Sequence, residues 1–491
     1  MVVPTVRPEP STALKSLTPP QIQARCLIGN DKVRKLSSNR ICRLPASDML
    51  MMISRFRRHL LRACFVLSLA VTMNWLSQPA KAQIPLPPGL DRPEDGDMIA
   101  WIGDTFVERE PAYGYLETWL MTRFPNRSIR MRNLGWSADV VTCESRARFG
   151  SPKDGFEHLM NTLEVVKPSV VVLQYGANDS QSGAAGLEKF KADYRTLVNT
   201  IRAKFKPRKI ILASPVTPLS FDGPWGNSES RRKDLALYDD AVTKLAEELT
   251  ADYLDFSPIA KLGTKSPEEL RPMLPLISDN GINYANTGYW ALMNQADRLV
   301  SGDTGGATLK FRLTQDKDSA VIVPSSRNAI AFEFAMKKDA NDGQFEIRRV
   351  QLPAPVGPSE IGDDRQRTAP GWSFQFTGLP EGKYRLVFDG KPAAIASAKA
   401  WAEGITIGDD PDSARVERIR QAVIRKNELF FHRWRPQNET YLLGFRKHEQ
   451  GNNAVEIPQF DPLIVKLEKE IDELKKPPVH KVQIVREIEG K

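Results

Sequence analysis

Between about residues 98 and 300, short apolar runs alternate with longer stretches whose apolar positions recur at helical spacing. The strand candidates are 98–102, 129–133, 170–175, 210–213 and 253–256, and the third is an almost unbroken apolar run, as expected of a strand buried on both faces. The segments 114–124, 155–166, 187–205, 230–249 and 287–300 carry the helical spacing. Strictly alternating strands and amphipathic helices predict a parallel sheet covered on both sides, a doubly wound, three-layer α/β/α domain spanning residues 97–302.

From about residue 307 the pattern changes to short alternating runs, 309–313, 330–334, 345–350, 372–376 and 384–388, separated by Asp, Gly and Pro. These predict a small β-sandwich over residues 306–407. The remainder, residues 412–491, reads as a helical and irregular C-terminal extension. Residues 414–431 have helical spacing, and 463–475 is charged enough to be expected as a solvated helix. His480 falls in what reads as a Pro-rich tail.

Composition changes this picture mainly at the N-terminus. Arg55, Arg57, Arg58 and Arg62 precede an apolar run at 63–76, and Ala80-Lys81-Ala82 has the small residues a signal peptidase reads. Residues 1–82 are therefore expected to be an over-extended gene start plus a secretory signal, with Met49, Met51 and Met52 as alternative starts. The apolar run is too short for a stable anchor, so no lasting membrane attachment is expected, and export to a periplasm or beyond the cell is. Of 69 Lys and Arg and 60 Asp and Glu, 13 and 3 lie in residues 1–82, leaving 56 and 57. The basic character of the whole chain thus belongs to the leader, and the case for a nucleic-acid partner disappears with it. Only Cys143 of the four cysteines follows residue 82, so no internal disulfide is expected there. No His-Glu-x-x-His, paired Cys-x-x-Cys or phosphate-cradling glycine loop occurs, and no cofactor or metal is expected.

Four polar blocks follow the predicted strands. Gly103-Asp104-Thr105 ends the first, where a parallel sheet places its ligand, so the Thr105 hydroxyl stands in a nucleophile's position with Asp104 bracing the turn. The second strand runs into Asn133-Leu134-Gly135-Trp136-Ser137-Ala138-Asp139, and the third into Tyr175-Gly176-Ala177-Asn178-Asp179. Asp279-Asn280-Gly281-Ile282-Asn283 precedes the last helix of the domain.

This order and spacing resemble the SGNH/GDSL family of serine esterases and acyl hydrolases. The resemblance implies an SGNH, flavodoxin-like sheet and an acylated carbohydrate or other ester as ligand. It places the nucleophile at Thr105, the oxyanion donors at Gly135 and Asn178, the base at Asn283 and the orienting acid at Asn280, one step from Asp279. The family has Ser, His and Asp where this chain has Thr105, Asn283 and Asn280. An amide cannot accept and return a proton near neutral pH, so the site is expected to be impaired in hydrolysis and to bind its ligand. The alternative is an active carboxylic-ester hydrolase in which Thr105 takes its base from the C-terminal region, where His432 and His448 lie among aromatic and basic residues. Asp104, Trp136, Asp179, His432 and His448 complete the set of candidate binding residues.

Overall fold

The computed structural model of the chain describes residues 93–148, 150–216, 228–256, 277–278, 283–301, 308–316, 319–324, 332–336, 344–361, 370–442, 444–449 and 453–487. The expected leader, Asp279 and Asn280 lie outside the described residues. Strands β1 (Met98–Gly103), β2 (Arg130–Gly135), β3 (Val170–Gln174), β4 (Lys209–Ala213) and β5 (Asp252–Leu254) pair in parallel in the order β2-β1-β3-β4-β5. Their helices are α1 (Thr105–Arg109), α2 (Tyr115–Arg123), α3 (Pro152–Val166), α4 (Gly183–Phe205), α5 (Ser228–Glu248) and α6 (Asn286–Ser301). Alternate strand residues point to opposite faces. Ile99, Trp101, Val170, Val172 and Ile211 pack with residues of α2 and α6, whereas Ala100, Ile102, Val171, Leu173, Ile210 and Leu212 pack with α3, α4 and α5. The expected three-layer α/β/α sheet is present, and each strand lies within two residues of its expected ends.

The rest of the described chain comprises β6 (Thr308–Asp316), β7 (Ser319–Pro324), β8 (Phe332–Met336), β9 (Gln344–Arg349), β10 (Pro370–Thr377), β11 (Lys383–Phe388), β12 (Lys391–Ser397), α7 (Ala398–Glu403), β13 (Ile405–Asp409), α8 (Ser413–Trp434), α9 (Glu439–Leu442), α10 (Phe460–Leu474) and β14 (Val479–Arg486). Two sheets, β13-β10-β6-β7 and β12-β11-β14-β9-β8, share one core built from Phe311, Trp372, Phe374 and Phe376 on one side and Phe345, Ile347, Leu386 and Val482 on the other. The segment read as a tail is a strand: β14 lies between β11 and β9, antiparallel to both. Its inward residues, His480, Val482 and Ile484, follow the two-residue period that strand geometry requires.

Helices α8 and α10 join the core of the parallel sheet. Val416, Ile419 and Val423 of α8 and Ile471 and Leu474 of α10 belong to the same buried cluster as Ile99 and Trp101. Helix α10 is therefore packed where a solvated helix was expected. Ile464, Glu468, Ile471 and Leu474 form one buried stripe at helical spacing, and its many charges occupy the rest of the surface. Glu468 meets Arg132 at 2.6 Å, and Asp472 meets Arg130 at 2.5 Å, tying α10 to the edge strand β2. From α8, buried Lys426 Nζ donates to both carboxylate oxygens of Glu117 at 2.7 and 2.9 Å and to the Met131 carbonyl at 3.0 Å. Among the described residues no helix is long and apolar enough to cross a membrane.

His480 fastens β14 to its surroundings. Its Nδ1 lies 2.7 Å from Asp389 Oδ2 and its Nε2 3.3 Å from Asp412 Oδ1, with the rings of Trp372 and Phe388 at about 5 Å. Asp410 beside Asp412 is held by Arg349 at 2.7 Å. Burial alone would lower the His480 pKa, but the hydrogen bonds to Asp412 and Asp389 outweigh it and raise the value above 6.5. A raised pKa means the folded state holds the proton more tightly, so this stabilisation is complete below about pH 6.5 and lost as pH climbs through the higher folded-state value. The difference in Tm between wild type and His480→Gln should therefore be largest near pH 6 and shrink toward pH 8.5. A difference that stays constant across that range would rule out the charged clamp.

Candidate active site

Strand order reverses between β1 and β3, so the crevice beyond their carboxyl ends is where this topology places a ligand. Thr105 opens α1 immediately after β1, and Asp104 is its N-cap, accepting from the Phe106 amide at 3.0 Å through Oδ1. The helix lies so close to β2 that a Cβ added at Gly135 would sit 2.1 Å from the Glu108 amide nitrogen. Glycine at 135 is therefore a packing requirement. Asn133 seals the contact, donating from Nδ2 to the Val107 carbonyl at 2.6 Å.

The structure brings Thr105, Gly135 and Asn178 to neighbouring strand ends, and their hydrogen-bonding groups are engaged within the protein. The Thr105 hydroxyl accepts from the Ala138 amide at 2.8 Å, with Ala138 in the left-handed region at φ 56°. The Gly135 amide donates to Asn133 Oδ1 at 2.9 Å, and Asn178 Nδ2 donates to the Asp139 carbonyl at 3.1 Å. Among the described residues no imidazole lies within hydrogen-bond distance of Thr105 Oγ1. His432 packs between Phe431 and Phe460, with centroids at 5.7 and 6.2 Å, and His448 is exposed. Half-buried Asn283 accepts through its carbonyl from Ser278 Oγ at 2.6 Å, while Asp279 and Asn280 lie outside the described residues.

The residue that organises these blocks is one the sequence reading passed over. Arg146, fully buried, donates from Nε to Asp139 Oδ2 at 2.6 Å and from Nη2 to the Leu134 carbonyl at 2.8 Å and the Tyr175 hydroxyl at 3.3 Å. Tyr175 in turn donates to Asp139 Oδ2 at 2.8 Å. No motif marks this triad, because its members are joined only by the fold. Burial, with the charges of Asp179 and Asp139 added, pushes the Asp104 carboxyl up to about 7. Burial likewise pushes Asp179 to about 6, against hydrogen bonds from the Val141 and Gly176 amides.

The rim combines α1, the loop after β2 and the C-terminal segment. Arg435, just past α8, stands 3.6 Å over the Trp136 ring and donates to Glu108 Oε1 at 2.8 Å. Glu108 also accepts from Ser137 Oγ. Trp434 meets the Trp136 ring edgewise at 5.8 Å and lies 6.4 Å from the His158 ring. His158 is half-buried against these indoles, and Arg148 Nη2 sits 3.0 Å from its Nε2. Burial, then the charges of Arg148, Arg146 and Arg435, pushes its pKa down to about 4. Among the described residues no group of His, Cys, Asp and Glu could hold a metal ion.

Residues 96–289 match the GDSL-like Lipase/Acylhydrolase family. No curated protein sequence matches the chain. Among solved structures, a gut microbial diltiazem-metabolizing enzyme is similar at 15% identity, with 81% of this chain and 99% of that one covered and a TM-score of 0.58. An acetylxylan esterase from Geobacillus stearothermophilus is similar at 20% identity, over 42% of this chain and 94% of its own, at a TM-score of 0.32. The first likeness shows a shared fold that reaches beyond the parallel-sheet domain. Residues 96–289 form a GDSL-like lipase/acylhydrolase domain.

Because Asp104 gains its proton on folding, its charge opposes stability increasingly as pH rises from about 4 to about 7. Asp104→Asn keeps an oxygen for the Phe106 amide and removes the buried charge. It should raise stability at pH 8 by up to ~4 kcal/mol relative to its effect at pH 4, read from denaturant unfolding at both pH values. An equal effect at both would show that the carboxyl is not held neutral.

Proposed function

We propose that the GDSL-like lipase/acylhydrolase domain retains an ester-ligand site but is impaired in triad hydrolysis, so that the chain acts as an exported binding module for an acylated carbohydrate or another ester. The observation that carries this is the state of Thr105: its hydroxyl accepts from a backbone amide, and among the described residues no imidazole reaches it. A hydroxyl is a poor nucleophile without a base to take its proton. Asn283 stands in the family's histidine position and cannot cycle a proton near neutral pH. Loss of a triad member costs on the order of 10⁴-fold in serine hydrolases. The Gly135 and Asn178 donors are also occupied, which removes preorganised stabilisation of an oxyanion unless the ligand displaces Asn133 Oδ1 and the Asp139 carbonyl. Carbohydrate as the acyl carrier follows from the resemblance to exported SGNH enzymes that deacetylate glycans, and export follows from the leader's charge and apolar pattern. A base from the C-terminal region is disfavoured by the packing of His432 against Phe460.

Turnover of p-nitrophenyl acetate and of an acetylated xylo-oligosaccharide should be equally low for the chain and for Thr105→Ala. Turnover that collapses in Thr105→Ala would overturn the impaired-site reading. The combined change Thr105→Ser, Asn280→Asp and Asn283→His should create serine-dependent esterase activity. A folded but inert triple variant would show that these positions are not the triad's.

A further inference from the structure

At the rim, two arginines keep guanidinium N–H groups beyond those spent on partners within the protein. Arg435 uses only Nη1 among the described residues, and its guanidinium lies over Trp136 and is paired with Glu108, which stands three residues after Thr105 in α1. Arg148 is anchored with Nε 2.5 Å from Glu439 Oε2 and Nη2 3.0 Å from Nε2 of His158, which also packs on Trp434. Its backbone adopts φ 58°, ψ −104°, a conformation that a non-glycine residue keeps only where its surroundings enforce it. Both arginine side chains remain about a fifth exposed, so solvent and ligand can reach them.

We propose that Arg435 and Arg148 form a subsite for a carboxylate on the ligand of the Thr105 site, so that the ligand class is an ester or acylated sugar that also carries an acid group. This rests on the reading of that site as a ligand site. A planar guanidinium presents paired N–H groups that match the two oxygens of a carboxylate, and one already fixed by stacking and an ion pair loses little freedom on binding. Burial, and also the charge of Arg435, lowers the Arg148 pKa against the pull of Glu439, so the two cations repel each other and an anion between them would relieve that repulsion. The opposing acids are accounted for. Glu108 and Glu439 each occupy one edge of their own arginine, and Asp139 is neutralised by Arg146. Asp104 and Asp179, with pKa values near 7 and 6, lose their charge as pH falls. His158 is neutral at physiological pH and adds no third cation.

The test is calorimetric titration of the full chain with methyl β-D-glucuronoside and methyl β-D-glucoside, which share the sugar ring and differ at the carboxylate. Wild type should prefer the glucuronoside by ~10-fold or more. Arg435→Gln should reduce the preference to within about twofold, and Arg435→Lys, which keeps the charge but not the fork, should fall between. If Arg435→Gln lowers Tm enough to unfold, Arg148→Gln, followed by the same titration, carries the test. Equal binding of the two glycosides by wild type, or a preference unchanged in the Gln variants, would overturn the subsite. The two readings fail separately: Thr105-dependent turnover would remove the impaired-site reading and leave a carboxylate preference intact, whereas loss of the preference leaves the turnover result untouched.

Discussion

The buried guanidinium of Arg146 sets the geometry on which the site depends. A charge taken out of water is costly unless partnered, and Arg146 finds partners for Nε and Nη2 on three separate pieces of chain: the Leu134 carbonyl at the end of β2, Asp139 in the following loop and Tyr175 after β3, while Nη1 has no hydrogen-bond partner among the described residues. These bonds tie the ends of β2 and β3 to the loop that follows β2. The loop so held then delivers the Ala138 amide to Thr105 and the Asp139 carbonyl to Asn178. On the other side, the missing side chain of Gly135 lets α1 settle against β2, so Thr105 is positioned by close packing on one flank and by a buried ion pair on the other.

A second constraint comes from the C-terminal part of the chain. Helix α8 inserts Lys426 into the carboxylate of Glu117, a buried pair in which removing either partner alone leaves an uncompensated charge. That attachment carries α8 along the edge of the parallel sheet, so its end places Trp434 and Arg435 over Trp136. The same return of the chain supplies β14 to the middle of a sheet whose other strands come from residues 332–397. The C-terminal region thus completes the wall of the candidate site and the core of the sandwich.

The parallel sheet was legible because its strands are almost purely apolar and its helices amphipathic, and both periods survive in a single sequence. The polar blocks at residues 103–105, 133–139 and 175–179 were legible for a related reason: each follows a strand and so falls at one edge of the sheet. What escaped the sequence was pairing at a distance. The alternation in β14 is plain once seen, but Pro477 and Pro478 and the flanking Lys and Glu residues make it read as a tail. In α10 the charges are so many that the buried stripe of Ile464, Glu468, Ile471 and Leu474 is hidden, because Glu468 reaches its arginines only in the fold. Arg146, Arg148 and His158 carry no motif, and their roles exist only through partners brought from elsewhere in the chain.

Thr105, at the start of the helix that follows β1, is held as a hydrogen-bond acceptor by the Ala138 amide. Its reactivity is most directly read by exposing the intact chain to a fluorophosphonate and weighing it by mass spectrometry, because such a reagent is captured by a hydroxyl whose proton a neighbouring base removes. The mass of the wild-type chain should be unchanged. One fluorophosphonate adduct per chain, mapped to Thr105 and absent in Thr105→Ala, would contradict the impaired site.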